Sequence, residues 1–336
     1  MDSLTHIALG ACMGQAFAGR TVGKKAMLWG ILAQSIPDID FIATTWLDTT
    51  SNLLAHRGFT HSILFALLMT FLLTVLAERW HRPHNISLMR WGLFFGSVIL
   101  THIFLDAFNN YGVGWFEPFS HYRISFNTIY VADPFFSLGP VLALLMLLLL
   151  KQENKWRSFW WKFGLCTGFL YLGYCIVNKT IINKDVKHSL VQQHIHYTRY
   201  FTTPAPLQNW LWFVVAGNDS GYYVGYVSVF DNKGPLQLTY FPRNEYLLKN
   251  MHTEKRIRQL QRFSQGFYTI ERNKDTLLFN DLRFGQIIGW QDPHEGFAFH
   301  YYLEPDIDNT LVTQRGRFAK WDRQVFSSLL NRVKGK

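Results

Sequence analysis

The first half of the chain holds four groups of ionisable residues at spacings that suit chemistry. Asp2 and His6 lie four residues apart, as do His102 and Asp106, so each pair shares one face of a helix. Pro37-Asp38-Ile39-Asp40 offers two carboxylates from one turn, and His56-Arg57-Gly58-Phe59-Thr60-His61-Ser62 adds two imidazoles and a guanidinium. Neutral imidazole with carboxylate is a donor set for zinc, manganese or iron(II). Converging carboxylates repel one another and take up protons unless cations neutralise them. Four His and four Asp exceed the needs of one tetrahedral ion. The surplus points to two divalent transition-metal ions, an arrangement used to hydrolyse phosphate esters.

On this reading His6, Asp38, His56, His61, His102 and Asp106 are the expected metal ligands. Asp40 and Asp2 bridge ions or act as bases on the attacking water, and Arg57 holds an anionic group, because guanidinium matches phosphate oxygens. Taken singly, these residues say less. A lone His on an apolar helix is commonly a hydrogen-bonded core residue, and Pro-Asp-Ile-Asp alone reads as a helix stop. His81 and His84 stand among Arg79 and Arg82 and read as solvated surface. His121 and Asp133 are isolated, and Asp133 before Pro134 reads as a helix start. Cys12, Cys166 and Cys175 sit in apolar segments without a CxxC and read as buried hydrophobes. No Walker A loop, GxGxxG, HExxH or GxSxG occurs, which removes the common nucleotide, zincin and α/β-hydrolase readings.

The elements that must position these groups are apolar. Runs 62–77, 91–108, 135–150 and 163–177 read as membrane-spanning helices, each near the short end of the required length. Trp80, Trp91, Trp156, Trp160 and Trp161 suit the headgroup belt at their ends. Weaker segments, 4–19 and 26–36, are rich in Gly and Ala and read as close-packed or half-inserted helices. Ala16-Phe17-Ala18 imitates a signal-peptidase site, but Met1-Asp2-Ser3 lacks the positive start of a signal, so cleavage is not expected. Alternate loops carry ten Lys and Arg, and the intervening loops carry only Arg57 and Arg123. The excess places the basic loops in the cytoplasm. All four ionisable groups then fall on the outer face, together with everything after Val177. Ionisable groups in an apolar helix are costly and usually functional.

Across 336 residues only 17% are charged and 49% apolar, and the net charge is +10. Residues 1–178 carry +3 and residues 179–336 carry +7. The second half is therefore a polar, basic domain. Runs 222–231, 266–272 and 297–303 read as strands, and 243–262 and 317–332 as polar helices, giving an extracytoplasmic α+β domain. Its basic excess suits anionic lipid headgroups or an anionic substrate, and no motif points to nucleic acid.

Asp2-x-x-Thr5-His6, Pro37-Asp38-Ile39-Asp40, His56-Arg57-Gly58-x-Thr60-His61-Ser62 and His102-x-x-x-Asp106, in that order, resemble the membrane-bound, metal-dependent hydrolase family typified by YdjM and YbcI. Its members are also described as LexA-binding, inner-membrane-associated hydrolases. The resemblance covers about the first 180 residues. It implies a multi-pass protein of the bacterial inner membrane with zinc, or else manganese, in a helical bundle distantly similar to zinc-dependent phospholipase C and the fungal single-strand nucleases. Those enzymes also ligate metal with the amino terminus. Met1 departs from that pattern and is not counted as a ligand. The C-terminal domain resembles extensions in some family members. The expected function is hydrolysis of a phosphoester, lipid or lipid-linked, by a metal-activated water. Two other classes stay open: a metal-binding transporter or sensor, and a membrane anchor presenting the C-terminal domain to a partner.

Overall fold

A computed structural model describes all residues except 84–85, 233, 250–253, 275 and 304–319. The chain divides into two compact units. One comprises Met1–Trp46 and Ala55–Cys175, and the other Leu47–Leu54 and Ile176–Lys336.

The N-terminal unit is helical. It contains α1 (Ser3–Val22), α2 (Lys25–Ser35), a 3₁₀ helix (Pro37–Thr45), a short 3₁₀ turn (Phe59–His61), α4 (Ile63–Trp80), α5 (Leu88–Asp106) and α6 (Pro134–Leu149). The intervening α3 (Thr49–Ala55) lies almost wholly in the segment assigned to the second unit. α1 packs closely on α2 through small residues. A Cβ on Gly30 would run into the Gly10 carbonyl, and one on Gly14 into the Ala26 carbonyl. This is the small-xxx-small device that lets helix backbones approach. α5 forms the centre of an aromatic core, in which Trp91, Phe94, Phe95, Val98 and Ile99 meet Leu73 and Ala77 of α4.

Three helices are long and apolar enough to cross a membrane among the described residues: α4, α5 and α7 (Arg157–Gln192). The remaining expected run, 135–150, forms the apolar α6, whose 16 residues fall just short of the lengths of those three. α7 also overruns its expected end at Val177. Beyond that point Ile182, Val186 and Leu190 recur every fourth residue and bury against Trp212, Val214 and Ala216. Amphipathic packing thus takes over where the uniformly apolar run stops.

The second unit is built on two antiparallel meanders. β1 (Arg199–Pro204), β2 (Leu211–Gly217), β3 (Gly221–Ser228) and β4 (Leu238–Pro242) form one sheet, and β5 (Tyr268–Asn273), β6 (Thr276–Gln286) and β7 (Phe297–Tyr302) the other. β2 is buried on both faces, with Trp212 and Val214 on one side and Phe213 and Val215 on the other, packed against Leu282 and Phe297. The helix expected over 243–262 resolves into a 3₁₀ turn at Glu245–Leu248 and α8 (Glu254–Phe263), with 250–253 outside the described residues. The last helix, α9 (Arg323–Val333), starts at Asp322, whose carboxylate accepts from the Val325 amide at 2.8 Å. Residues 317–319 of its expected range lie outside the described set.

His81 is not solvated. It is buried, accepts a hydrogen bond from Trp29 Nε1 at 2.7 Å and stacks on Trp91. His84 lies outside the described residues.

Candidate metal centre

Each group of the sequence pattern enters the site on a different local structure. Asp2 caps α1, accepting from the Thr5 amide at 2.9 Å and the Thr5 hydroxyl at 2.6 Å. His6 follows on the next turn. Pro37 opens the 3₁₀ helix directly after α2, and its three-residue period separates the two carboxylates that follow. Asp38 turns to the cluster, while Asp40 faces Arg57. Arg57 adopts a left-handed backbone (φ 60°), uncommon for a side chain of its size. Its amide donates to Asp40 Oδ2 at 2.7 Å and its carbonyl accepts from the Gly114 amide at 2.9 Å, which fixes this turn. His61 ends the short 3₁₀ turn just before Ser62 caps α4 by accepting from the Phe65 amide. His102 and Asp106 project from α5, one turn apart.

Four of these side chains converge. Asp38, His61, His102 and Asp106 offer ligand atoms that all lie within 4.8 Å of one another. His61 Nε2 is 3.2 Å from His102 Nε2, 3.3 Å from Asp106 Oδ2 and 3.5 Å from Asp38 Oδ1. His102 Nε2 is 3.6 Å from both Asp38 Oδ1 and Asp106 Oδ2. The Asp38 side chain is 26% exposed, and the other three are fully buried.

The surroundings fit a cation. His102 Nδ1 lies 2.6 Å from the Gln34 carbonyl oxygen, which can only accept, so Nδ1 carries the proton and the Nε2 lone pair faces the cluster. Asp106 Oδ2 is buried without a hydrogen bond, although Arg57 Nε stands 3.1 Å away as its ion partner. Such an oxygen is costly to bury unless a cation meets it. Burial pushes the His61 imidazole down to about 3, against the pull of Asp38, so it is neutral near pH 7. Burial opposes the charge on Asp38, but hydrogen bonds from His102 and His61 outweigh it and hold the carboxyl well below the usual range.

The remaining expected residues stand beside this group. His6 Nε2 is 3.2 Å from Asp106 Oδ1, and its Nδ1 is 3.2 Å from Gln34 Nε2. His56 Nδ1 is 3.1 Å from Asp40 Oδ1, with its side chain 40% exposed. Asp40 also accepts from Thr60 Oγ1 at 3.1 Å. Burial opposes its charge, and hydrogen bonds led by that from His56 hold its carboxyl below the ordinary range. The Arg57 guanidinium is buried, with Nη1 2.7 Å from Asn109 Oδ1 and the Tyr111 ring 5.1 Å away. Asp2 remains a cap, shared with Ser137 at 3.4 Å. Sequence reasoning passed over Gln34 and Asn109, which are uncharged, and set aside the Met1 nitrogen, which is buried against Asp106.

Residues 1–182 match the family described as YdjM inner membrane protein. The chain belongs to that family. It is 32% identical over 122 residues to the inner membrane protein YbcI of Escherichia coli (strain K12), covering 36% of this chain and 69% of YbcI. It is 28% identical over 155 residues to the uncharacterized protein YfhP of Bacillus subtilis (strain 168), covering 43% of this chain and 45% of YfhP. No solved structure matches. The family match includes all four ligand-bearing groups and stops just after the last apolar run, so the cluster lies within the region that defines membership.

Proposed function

We propose that the N-terminal unit is a metal-dependent hydrolase of phosphoesters, set in the bacterial inner membrane as a multi-pass protein with its metal centre and C-terminal domain on the extracytoplasmic side. One observation carries the metal. A tetrahedral ion with bonds of ~2.0–2.1 Å separates its donors by ~3.3–3.4 Å. The five separations among Asp38, His61, His102 and Asp106 given above run from 3.2 to 3.6 Å. Two imidazoles and two carboxylates suit zinc first and manganese second. One ion accounts for these four donors. The Asp40–His56 pair adds only two more, so a second ion would lean on His61 Nδ1, 3.5 Å from Asp40 Oδ2.

When bound, the metal would supply a water acidic enough to attack near neutral pH and would polarise the ester. The protein's part follows from its own contacts. Asp38, the one partly exposed ligand, marks the side on which substrate enters. Asp40 holds His56 through Nδ1 and leaves Nε2 of this exposed ring to pass protons between the site and solvent. This assigns proton transfer to His56 and orientation to Asp40. Arg57 and His6 brace Asp106 from either side, and Arg57 adds positive charge near the reacting group.

A second reading has its own support. Four protein donors around one ion is the closed arrangement of structural zinc sites, which suits a metal-binding sensor or transporter without chemistry. The discriminating experiment is a panel of phosphomonoesters and phosphodiesters offered to the full chain in detergent with added Zn²⁺ or Mn²⁺. The hydrolase reading predicts turnover that vanishes with a chelator and in His102→Ala. Firm metal binding with no turnover on any ester makes the closed site the better account.

A further inference from the structure

The 3₁₀ helix that carries Asp38 and Asp40 also carries an apolar rim. With three residues per turn, positions 37 and 40 share one stripe, 38 and 41 a second, and 39 and 42 a third. Pro37 and Asp40 of the first stripe are buried. The second sets Phe41, 66% exposed, one turn from the partly exposed ligand Asp38. The third presents Ile39 and Ile42, 48% and 40% exposed, and Trp46 follows at 67%. The exposed hydroxyls of this rim are satisfied by local backbone: that of Thr44 donates to the Phe41 carbonyl at 2.7 Å and that of Thr45 to the Ile42 carbonyl at 2.8 Å. On the far side of Arg57, Phe59 is exposed and packs on Phe65 at the start of α4. The turn that carries Phe59 touches the 3₁₀ helix of the rim and leads into α4, which is apolar enough to span the bilayer.

An exposed apolar patch of this kind marks an interaction surface. Hydroxyls satisfied by local backbone suit a surface lying in lipid, where water is scarce. Its position at the side of Asp38, where the metal centre opens, ties it to the substrate. We infer that the rim lies in the outer leaflet, and that the substrate is a membrane lipid with a phosphoester headgroup, entering sideways past Phe41 with its acyl chains still in the bilayer. This rests on the hydrolase reading and names its substrate class. A water-soluble ester of the same headgroup would lack the acyl chains that the rim receives.

The test uses the full chain in nanodiscs with Zn²⁺, and the double variant Phe41→Ser/Ile42→Ser, which leaves every ligand in place. Dioleoylphosphatidylglycerol in the disc is compared with dihexanoylphosphatidylglycerol in solution. Trp46 fluorescence is read in discs with brominated acyl chains, the Trp46→Phe variant supplying the background from other tryptophans. The expected result is quenching of Trp46, a preference of at least about tenfold for the long-chain lipid, and loss of that preference in the double variant with metal content unchanged. Equal rates on both lipids with Trp46 unquenched would overturn lipid entry and leave the hydrolase reading standing. Unquenched Trp46 in a dimer that the double variant dissociates would assign the rim to a second copy and overturn the inference. Quenched Trp46 with no hydrolysis of any ester would overturn the hydrolase reading and, with it, the substrate class.

Discussion

His102 Nδ1 sits 2.6 Å from the backbone oxygen of Gln34, while the Gln34 side chain reaches His6 Nδ1 at 3.2 Å. One residue at the end of α2 thus orients two imidazoles. The backbone contact aims the His102 lone pair at the cluster, and the side-chain contact sets His6 to donate to Asp106. Replacing Gln34 with Leu removes only the second. Metal affinity should fall by about tenfold, the low end of the cost of losing an outer partner, because the contact reaches the ligand Asp106 only through His6. Competition with a fluorescent zinc chelator measures it, and an unchanged affinity would remove the Gln34 side chain, though not its backbone oxygen, from the centre.

The His56–Asp40 pair should separate metal binding from turnover. His56→Ala should retain metal yet lower turnover by roughly 10²–10⁴-fold, the range for a lost general acid or base. Asp40→Asn should lower turnover too and shift its pH profile, because a neutral amide replaces the carboxylate beside the imidazole. Loss of metal in His56→Ala would make His56 a ligand instead.

Not all of this arrangement was legible in the sequence. His102 and Asp106 could be paired because a helix brings positions four apart onto one face. Asp38 was expected as a ligand and Asp40 as a bridging group or base, but an Asp-x-Asp pair says nothing of helix type, so Asp40's partners could not be read. The 3₁₀ period sends one to the metal donors and the other to His56 and Arg57. Arg57 looked free to bind substrate, but its buried contacts with Asp106 and Asn109 depend on residues about fifty positions away. His81 was hidden by its basic neighbours, since its partner Trp29 lies on another helix. In the second half β3, β5 and β7 were visible in outline. β2, with the sequence LWFVVAG, does not alternate because it is buried on both faces, so it lacks the period-two signal of a half-exposed strand.

The segment between the two ligand-bearing turns is held within the second unit. Asp48 caps α3, accepting from the Ser51 amide at 3.0 Å and the Thr50 hydroxyl at 2.7 Å, and Thr50 pairs with Gln259 of α8 at 2.7 Å. Burial slightly opposes the charge on Asp48, but hydrogen bonds led by the Ser51 amide hold its carboxyl down to about 2. A depressed carboxyl stabilises fully above its unfolded pKa of ~3.9 and loses that contribution as pH falls towards the folded value. The site is largely exposed, so Asp48→Ala should cost about 1 kcal/mol or less near pH 7. In unfolding measurements the gap from wild type should shrink between pH ~4 and ~2. A gap independent of pH would show that the cap does not depend on the carboxylate's charge.

The basic-loop asymmetry makes the orientation testable. A cysteine placed at Tyr111 or Asn218 should react with an impermeant thiol reagent in intact cells, and one at Lys155 should not, on a background lacking the native cysteines. Labelling at 155 alone would invert the protein and move the metal centre to the cytoplasmic face.

Metal content is the most direct test of the central claim. The full chain, purified gently and without chelators, should hold about one transition-metal ion, the number its four converging donors satisfy. His102→Ala should lose that ion while circular dichroism still reports the helices, and His61→Asn should do the same. A wild-type protein free of metal, fully stable and indifferent to chelators would contradict the account.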